Sequence, residues 1–224
     1  MENMDTKTAF IFDCDGVLLD SIGAWHALDQ RLADDAGITM NAEAREALNA
    51  STLVEAAAYF HNHYGVGESV EEVVARFTRF LLEYYENDAC ETPGALAFVK
   101  MLAETGSPLC VLSSSPQSFL VPGLARAGFS GMIGTVLSAE DLPFKKRDPQ
   151  LYPRVCDMLG TMPHNTWFFD DSWYALEAAS KAGMRNVGVH SFDACGTHEQ
   201  LGRFAELVCD SFAELPQEPA FWGC

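Results

Sequence analysis

The sequence predicts an α/β fold, a doubly wound parallel sheet carrying a helical insert. Three observations predict it: short apolar runs recur along the chain, helix-period stretches alternate with them, and one stretch of about seventy residues is helical in pattern throughout. The first run, KTAFIF (7–12), is followed by PLCVLSS (108–114), TVLS (135–138), TWFFD (166–170) and RNVGVH (185–190). Their length and their aliphatic and aromatic content are those of buried strands. Between them, PGALAFVKMLAET (93–105), SFLVPGLARAG (118–128), DPQLYPRVCDMLG (148–160) and WYALEAASKAG (173–183) show helical spacing. Several end on Gly, where a C-terminal cap belongs.

From Ile22 to about Cys90 the alternation stops. SIGAWHALDQRLADDAG, AEAREALN, TLVEAAAYFHNHYG and VEEVVARFTRFLLEYY all repeat apolar residues at helical spacing, and no strand pattern intervenes. The period changes near 19–22 and again near 88–93, which marks the segment as an insert between the first strand and the rest of the sheet.

Composition narrows the class. A chain of 224 residues, 48% hydrophobic, buries enough core for one domain with a modest insert. No apolar run approaches the roughly 20 residues that cross a bilayer, and MENMDTKTAF lacks the apolar stretch of a secretory signal, so neither membrane anchoring nor secretion is expected. Cys14, Cys90, Cys110, Cys156, Cys195, Cys209 and Cys224 are scattered without CxxC or Cys/His zinc spacing, and are expected to be reduced thiols in the cytoplasm. The net charge of −18 comes from 32 acidic against 14 basic residues and repels nucleic acid and anionic lipid. A small phosphate ester is compatible with that surface if the site supplies its own positive charge. Oligomeric state leaves no mark on the sequence.

Four elements at strand ends carry chemistry. Asp13-Cys14-Asp15-Gly16 directly follows the first strand, at the carboxyl edge where open α/β sheets bind ligands. Alternation lets Asp13 and Asp15 share a face while Cys14 packs inward, and Gly16 permits a sharp turn. Two carboxylates so close repel unless a cation or a shared proton intervenes. An Asp/Gly turn is the plain alternative. Ser113-Ser114-Ser115, before Pro116 and a helix, offers hydroxyl and N–H groups to phosphate oxygens, or simply an N-cap. Lys145-Lys146-Arg147-Asp148-Pro149 is the densest positive cluster in a chain with five lysines, suited to a transferring phosphoryl group or to solvent. Trp167-Phe168-Phe169-Asp170-Asp171-Ser172 ends another strand with two hard oxygen ligands that suit Mg²⁺ or cap the next helix. All four fall on one edge of the predicted sheet, which makes four separate bland explanations improbable together.

With these elements in order the chain resembles the haloacid dehalogenase superfamily, in the branch of phosphatases and β-phosphoglucomutase-like enzymes. Asp13 to Ser21, DCDGVLLDS, is similar to that family's first motif; Ser113, Lys146 and Asp170-Asp171 are similar to its second, third and fourth. Glu91-Thr92-Pro93-Gly94 resembles the return from cap to core. The resemblance implies a Rossmann-like core from 1–21 and 91–224 and a small helical cap domain from 22–90. It also implies that Asp13 attacks phosphorus to give an aspartyl-phosphate, while Asp15 protonates the leaving alcohol and then activates water. Mg²⁺ would be held by Asp13, the Asp15 backbone carbonyl and Asp171, with Asp170 in support, and Ser113, Ser114 and Lys146 would bind phosphoryl oxygens. Lys146 is preferred to Lys145 because Pro149 lies three residues after it, although Arg147 stands where the family usually has a proline. Trp173-Tyr174 replaces the usual small turn residues and is expected to pack.

The resemblance leaves several activities to compare. A dehalogenase needs neither Asp15 nor the Asp170-Asp171 pair. A phosphonate-cleaving relative needs a cap lysine, and residues 22–90 contain none. A phosphomutase must grip a second phosphate, for which the insert offers Arg31, Arg45, Arg76 and Arg79. A non-catalytic binding protein would not fill every motif. Hydrolysis of a small phosphate monoester is therefore the expected reaction, with a sugar phosphomutase as the alternative. Trp25, His26, Asp29, Asn49 and Ser51 are candidate substrate-facing residues of the insert. His61 and His63, two apart on a helix, point to different sides and are not expected to share a metal.

Overall fold

The computed structural model describes residues 7–39, 48, 51–191 and 196–224. Six strands form one parallel sheet in the order β3-β2-β1-β4-β5-β6. They are β1 (Ala9–Phe12), β2 (Leu109–Ser113), β3 (Thr135–Ser138), β4 (Thr166–Asp170), β5 (Arg185–Val189) and β6 (Leu207–Cys209). The predicted α/β architecture is present. β6, at the sheet edge, was not among the predicted strands: three residues are too few to show a period of two.

Alternation along the strands builds a core on each face. Phe10 and Phe12 join Val111, Trp167 and Phe169 in one buried cluster, whereas Ala9 and Ile11 join Cys110, Leu112 and Phe168 in the other. Phe12 stacks on Phe169 with ring centroids 4.6 Å apart. Full burial of each such aromatic contributes about 1.5–3 kcal/mol, so the registers of β1 and β4 are firmly tied. Because the chain winds outward from β1 to β3 on one side and through β4 to β6 on the other, a crevice opens at the carboxyl ends of β1 and β4.

After β1 come α1 (Ile22–Ala36), α2 (Leu53–Tyr64) and α3 (Val70–Asn87), the helices of the insert, with no strand among its described residues. Thr52 and Glu55 form a capping box at the start of α2, and Ser69 caps α3. Val73, Phe77, Leu81 and Tyr85 repeat every four residues along α3 and are all buried. Of the predicted AEAREALN helix only Leu48 belongs to the described residues; Arg45, Asn49 and Cys195 lie outside them. The remaining helices are α4 (Ala95–Ala103), α5 (Gln117–Arg126), α6 (Leu151–Leu159), α7 (Trp173–Lys181), α8 (His198–Gly202) and α9 (Pro219–Trp222). Among the described residues no helix is long and apolar enough to cross a membrane, and the six described cysteines are free thiols.

Candidate active site

The ends of β1, β2 and β4 bring the predicted residues together. The Asp13 amide extends the β1–β4 ladder by donating to the Phe169 carbonyl at 2.8 Å, which sets Asp13 beside the end of β4. Cys14 is fully buried, and the chain reverses at Gly16, whose φ is +76°. A Cβ there would strain the backbone and lie 2.6 Å from Asp171 Oδ2. Glycine thus keeps space free beside that carboxylate.

Asp13, Asp170 and Asp171 form the first grouping, with carboxylate oxygens within 4.8 Å of one another and all three residues buried. Lys146 Nζ lies 2.7 Å from Asp13 Oδ1 and 2.7 Å from Asp170 Oδ2. The Asp170 contact is a hydrogen bond. At Asp13 the ammonium forms an ion pair with Oδ1, which has no other polar partner among the described residues. Ser172 donates its amide to Asp170 Oδ1 at 2.8 Å and its hydroxyl to Asp171 Oδ1 at 3.1 Å. Tyr152 fixes the loop behind Lys146 by donating to its carbonyl at 2.7 Å.

Three carboxylates facing one ammonium leave two formal negative charges on buried side chains. Burial pushes the Asp13 carboxyl up from 3.8 to about 7 despite the opposing pull of Lys146. Burial likewise holds Asp171 well above the carboxylate range, helped by Asp170 and Asp13. Burial alone would lower Lys146, but Asp13 and Asp170 outweigh it and hold the amine well above its ordinary value. The buried carboxylates of Asp13 and Asp171, the space kept by Gly16 and the all-oxygen donor set fit a hard divalent cation such as Mg²⁺, whose charge would neutralise the cluster.

Asp15 belongs to a second grouping. Its Oδ1 accepts hydrogen bonds from Ser21 Oγ at 2.6 Å and from the Tyr85 hydroxyl; its Oδ2 accepts from Ser115 Oγ at 2.6 Å and Ser113 Oγ at 3.4 Å. Trp25 Nε1 donates to the Tyr85 oxygen at 3.0 Å and so orients that hydroxyl toward Asp15. Burial, with Asp15 adding to it, holds the Tyr85 phenol well above its usual value. Ser113 also accepts from the Ser115 amide at 3.1 Å, while Ser114 is exposed at the mouth. The sequence gives no sign that Ser21, Tyr85 and Ser115 bond Asp15 or that Ser172 bonds Asp170 and Asp171. For Tyr85 no local signal exists, since it is 70 residues from Asp15.

Both groupings open into a cavity of about 960 Å³ between the strand ends and α1–α3. From the insert, Trp25, His26, Asp29 and Ser51 line it, as anticipated. Lys145, Lys146 and Arg147 line the opposite side. Lys145 Nζ donates instead to the Ala139 and Glu140 carbonyls, so of the two lysines it is Lys146 that reaches Asp13. Arg147 lies over the Tyr174 ring, 3.9 Å from its centroid. Tyr174 therefore does more than pack, because it lines the cavity and carries a cation, and Trp173 is 36% exposed. Arg31 sits over Phe80, 4.3 Å from its centroid, and Arg76 pairs with Asp35 at 2.9 Å; neither lines this cavity, nor does Arg79. His61 and His63 each bond a separate backbone carbonyl.

The haloacid dehalogenase-like hydrolase family model matches residues 10–189. A phosphoglycolate phosphatase of Pectobacterium atrosepticum is 27% identical over 220 residues, covering 96% of this chain and 93% of its own. Hexitol phosphatase B of Escherichia coli K12 is 27% identical over 209 residues, covering 92% of this chain and 93% of its own. The solved structure of CbbY from Rhodobacter sphaeroides in complex with phosphate superposes with a TM-score of 0.77 at 20% identity, covering 93% of this chain and 96% of that one.

Proposed function

Because this chain belongs to the haloacid dehalogenase-like hydrolase family, we propose that it is a Mg²⁺-dependent phosphatase that hydrolyses a small phosphate monoester. The observation that carries the reading is the buried grouping of Asp13, Asp170, Asp171 and Lys146 beside a cavity between the strand ends and the helices of the insert. The kinship with phosphatases of nearly equal length supports it. Segment 22–90 acts as the cap that roofs the cavity, and 1–21 with 91–224 as the catalytic core.

Asp13, Asp171 and the Asp15 carbonyl, with Asp170 in support, would hold Mg²⁺, which would supply the charge neutralisation that lets an anionic ester approach these carboxylates. Asp13 forms a bond to phosphorus as the bond to the ester oxygen breaks, and Asp15 gives its proton to the departing alkoxide. Asp15 then takes a proton from water, whose oxygen displaces Asp13 and releases inorganic phosphate. Lys146, Ser113 and the Ser114 amide hold phosphoryl oxygens. Before the transfer Asp15 must leave its four hydroxyl donors, so that grouping is a resting position for the proton carrier.

Hydrolysis is favoured over the mutase alternative because Arg31 and Arg76 are engaged away from the cavity. The test is a panel of phosphate esters with and without Mg²⁺, including glucose 1-phosphate with a trace of the 1,6-bisphosphate. Phosphate should appear in proportion to ester consumed, and chelation should abolish it. Fast isomerisation with negligible phosphate release, lost on Arg45→Ala, would make the enzyme a mutase instead.

A further inference from the structure

Beyond the carboxylate cluster, at the ends of β5 and β6, the same sheet edge carries a second convergence of ligating side chains that the phosphatase reading leaves unused. His190 follows β5, Asp210 follows β6, and His198 is the first residue of α8. His190 Nδ1 lies 2.7 Å and His198 Nε2 lies 2.8 Å from the same oxygen, Asp210 Oδ1. The two imidazole centroids are 4.3 Å apart. The three groups come from three elements, and each is fixed by its own backbone anchor. The His190 amide donates to the Cys209 carbonyl at 2.7 Å, the Asp210 amide to Glu214 Oε2 at 3.1 Å, and Thr197 with Gln200 forms a capping box around His198. The two imidazoles hold the Asp210 carboxyl below the usual carboxylate range.

We propose that His190, His198 and Asp210 form a binding site for a borderline transition-metal ion, Zn²⁺ foremost, on the surface of the core. Two imidazole nitrogens and one carboxylate are the donor set of a three-ligand zinc site with water in the fourth position. Zinc bonds of about 2.0–2.2 Å in a tetrahedron place ligand atoms about 3.3–3.5 Å apart. The present nitrogen–oxygen contacts need to open by only about half an ångström to admit the ion. Without metal, each imidazole donates the N–H on its inner nitrogen to Asp210. On binding, those nitrogens become lone-pair donors, and each neutral ring carries its proton on the outer nitrogen instead, so no net proton is lost. The nitrogen-rich set selects Zn²⁺, Ni²⁺ or Cu²⁺ over Mg²⁺ and Ca²⁺, whose preference is oxygen. That contrast separates the site from the buried cluster. The residues are 26%, 51% and 58% exposed, which gives an ion direct access.

The test is equilibrium dialysis of the full chain against micromolar Zn²⁺ in millimolar Mg²⁺, with metal content read by mass spectrometry. The wild type is compared with His198→Ala and with Asp210→Asn, which keeps the volume and still accepts from both imidazoles. Wild type should hold one more zinc per chain than either variant, and each variant's affinity should fall by at least the roughly 10–100-fold that loss of even a supporting group costs. Zinc should raise the melting temperature of the wild type alone, and phosphate-ester turnover should be equal in all three proteins. Equal zinc content in wild type and both variants would overturn the assignment, as would an equal zinc-induced stabilisation.

Discussion

Replacing Lys146 by Met tests the electrostatics of the site most directly, because methionine keeps most of the side-chain length and deletes the charge. Lys146 Nζ touches Asp13 and Asp170 at 2.7 Å each, and Lys146 is 5% exposed. Breaking one buried pair costs about 3–5 kcal/mol through the charge left behind. Here three carboxylates would be left with no protein cation. They can escape by taking up protons, which caps the cost near that range rather than doubling it. The loss should therefore be about 3–5 kcal/mol near pH 8 in EDTA and should shrink as the pH falls and the carboxyls protonate. In the variant the folded state binds more protons than the unfolded chain, so stability falls as pH rises. Mg²⁺ should restore part of it by supplying the missing charge. Turnover should drop by about 10²–10³, the cost of removing one transition-state donor. Urea unfolding followed by tryptophan fluorescence, with and without EDTA across this pH range, measures the first effect; phosphate release measures the second. A pH-independent loss under about 1 kcal/mol with turnover intact would show that Lys146 is not the charge that holds this cluster.

Asp13→Asn should abolish phosphate release, since an amide does not attack phosphorus; a variant keeping half the wild-type rate would exclude Asp13 as nucleophile. The same variant in EDTA near neutral pH should be at least as stable as wild type, because an uncharged amide avoids the burial cost that pushes Asp13 up to about 7. For the wild type in EDTA, a carboxyl raised from 3.8 to about 7 stabilises fully below its unfolded value and loses that contribution as pH rises through its folded value. Calorimetry should thus show a melting temperature that falls from about pH 4 to pH 7 and a flatter profile with Mg²⁺; a rising profile in EDTA would refute the shift. Ca²⁺ should inhibit turnover, because its larger, looser shell misplaces the nucleophile; equal rates in Ca²⁺ and Mg²⁺ would argue against a metal at Asp13. Tyr85→Phe should cost about 1–2 kcal/mol, since Trp25 Nε1 loses its acceptor and Asp15 a donor; unchanged urea unfolding would show that the contact is not formed in solution.

Much of the fold could be read directly because its signals are local. Strands such as LCVLS and TWFFD fall within the apolar runs that predict them, since parallel strands buried on both faces need continuous apolar sequence. Asp13, Asp170 and Asp171 were legible for a related reason: each stands at or directly after the last residue of a strand, and the carboxyl edge of a wound sheet gathers such residues whatever the loops between them do. Which lysine reaches Asp13 was a tertiary matter, settled by the turn that sends Lys145 to the Ala139 and Glu140 carbonyls and leaves Lys146 to be buried. The hydroxyl shell of Asp15 was out of reach as well, because Tyr85 arrives from α3 and no spacing rule links positions 70 residues apart. So was the joining of His190, His198 and Asp210, which depends on β6, a strand too short to announce itself. Sequence alone determined what is periodic along the chain or pinned to a strand end. Only the packing of distant segments decided which side chains meet across the cavity and at the sheet edge, because those contacts are set by where whole elements come to rest.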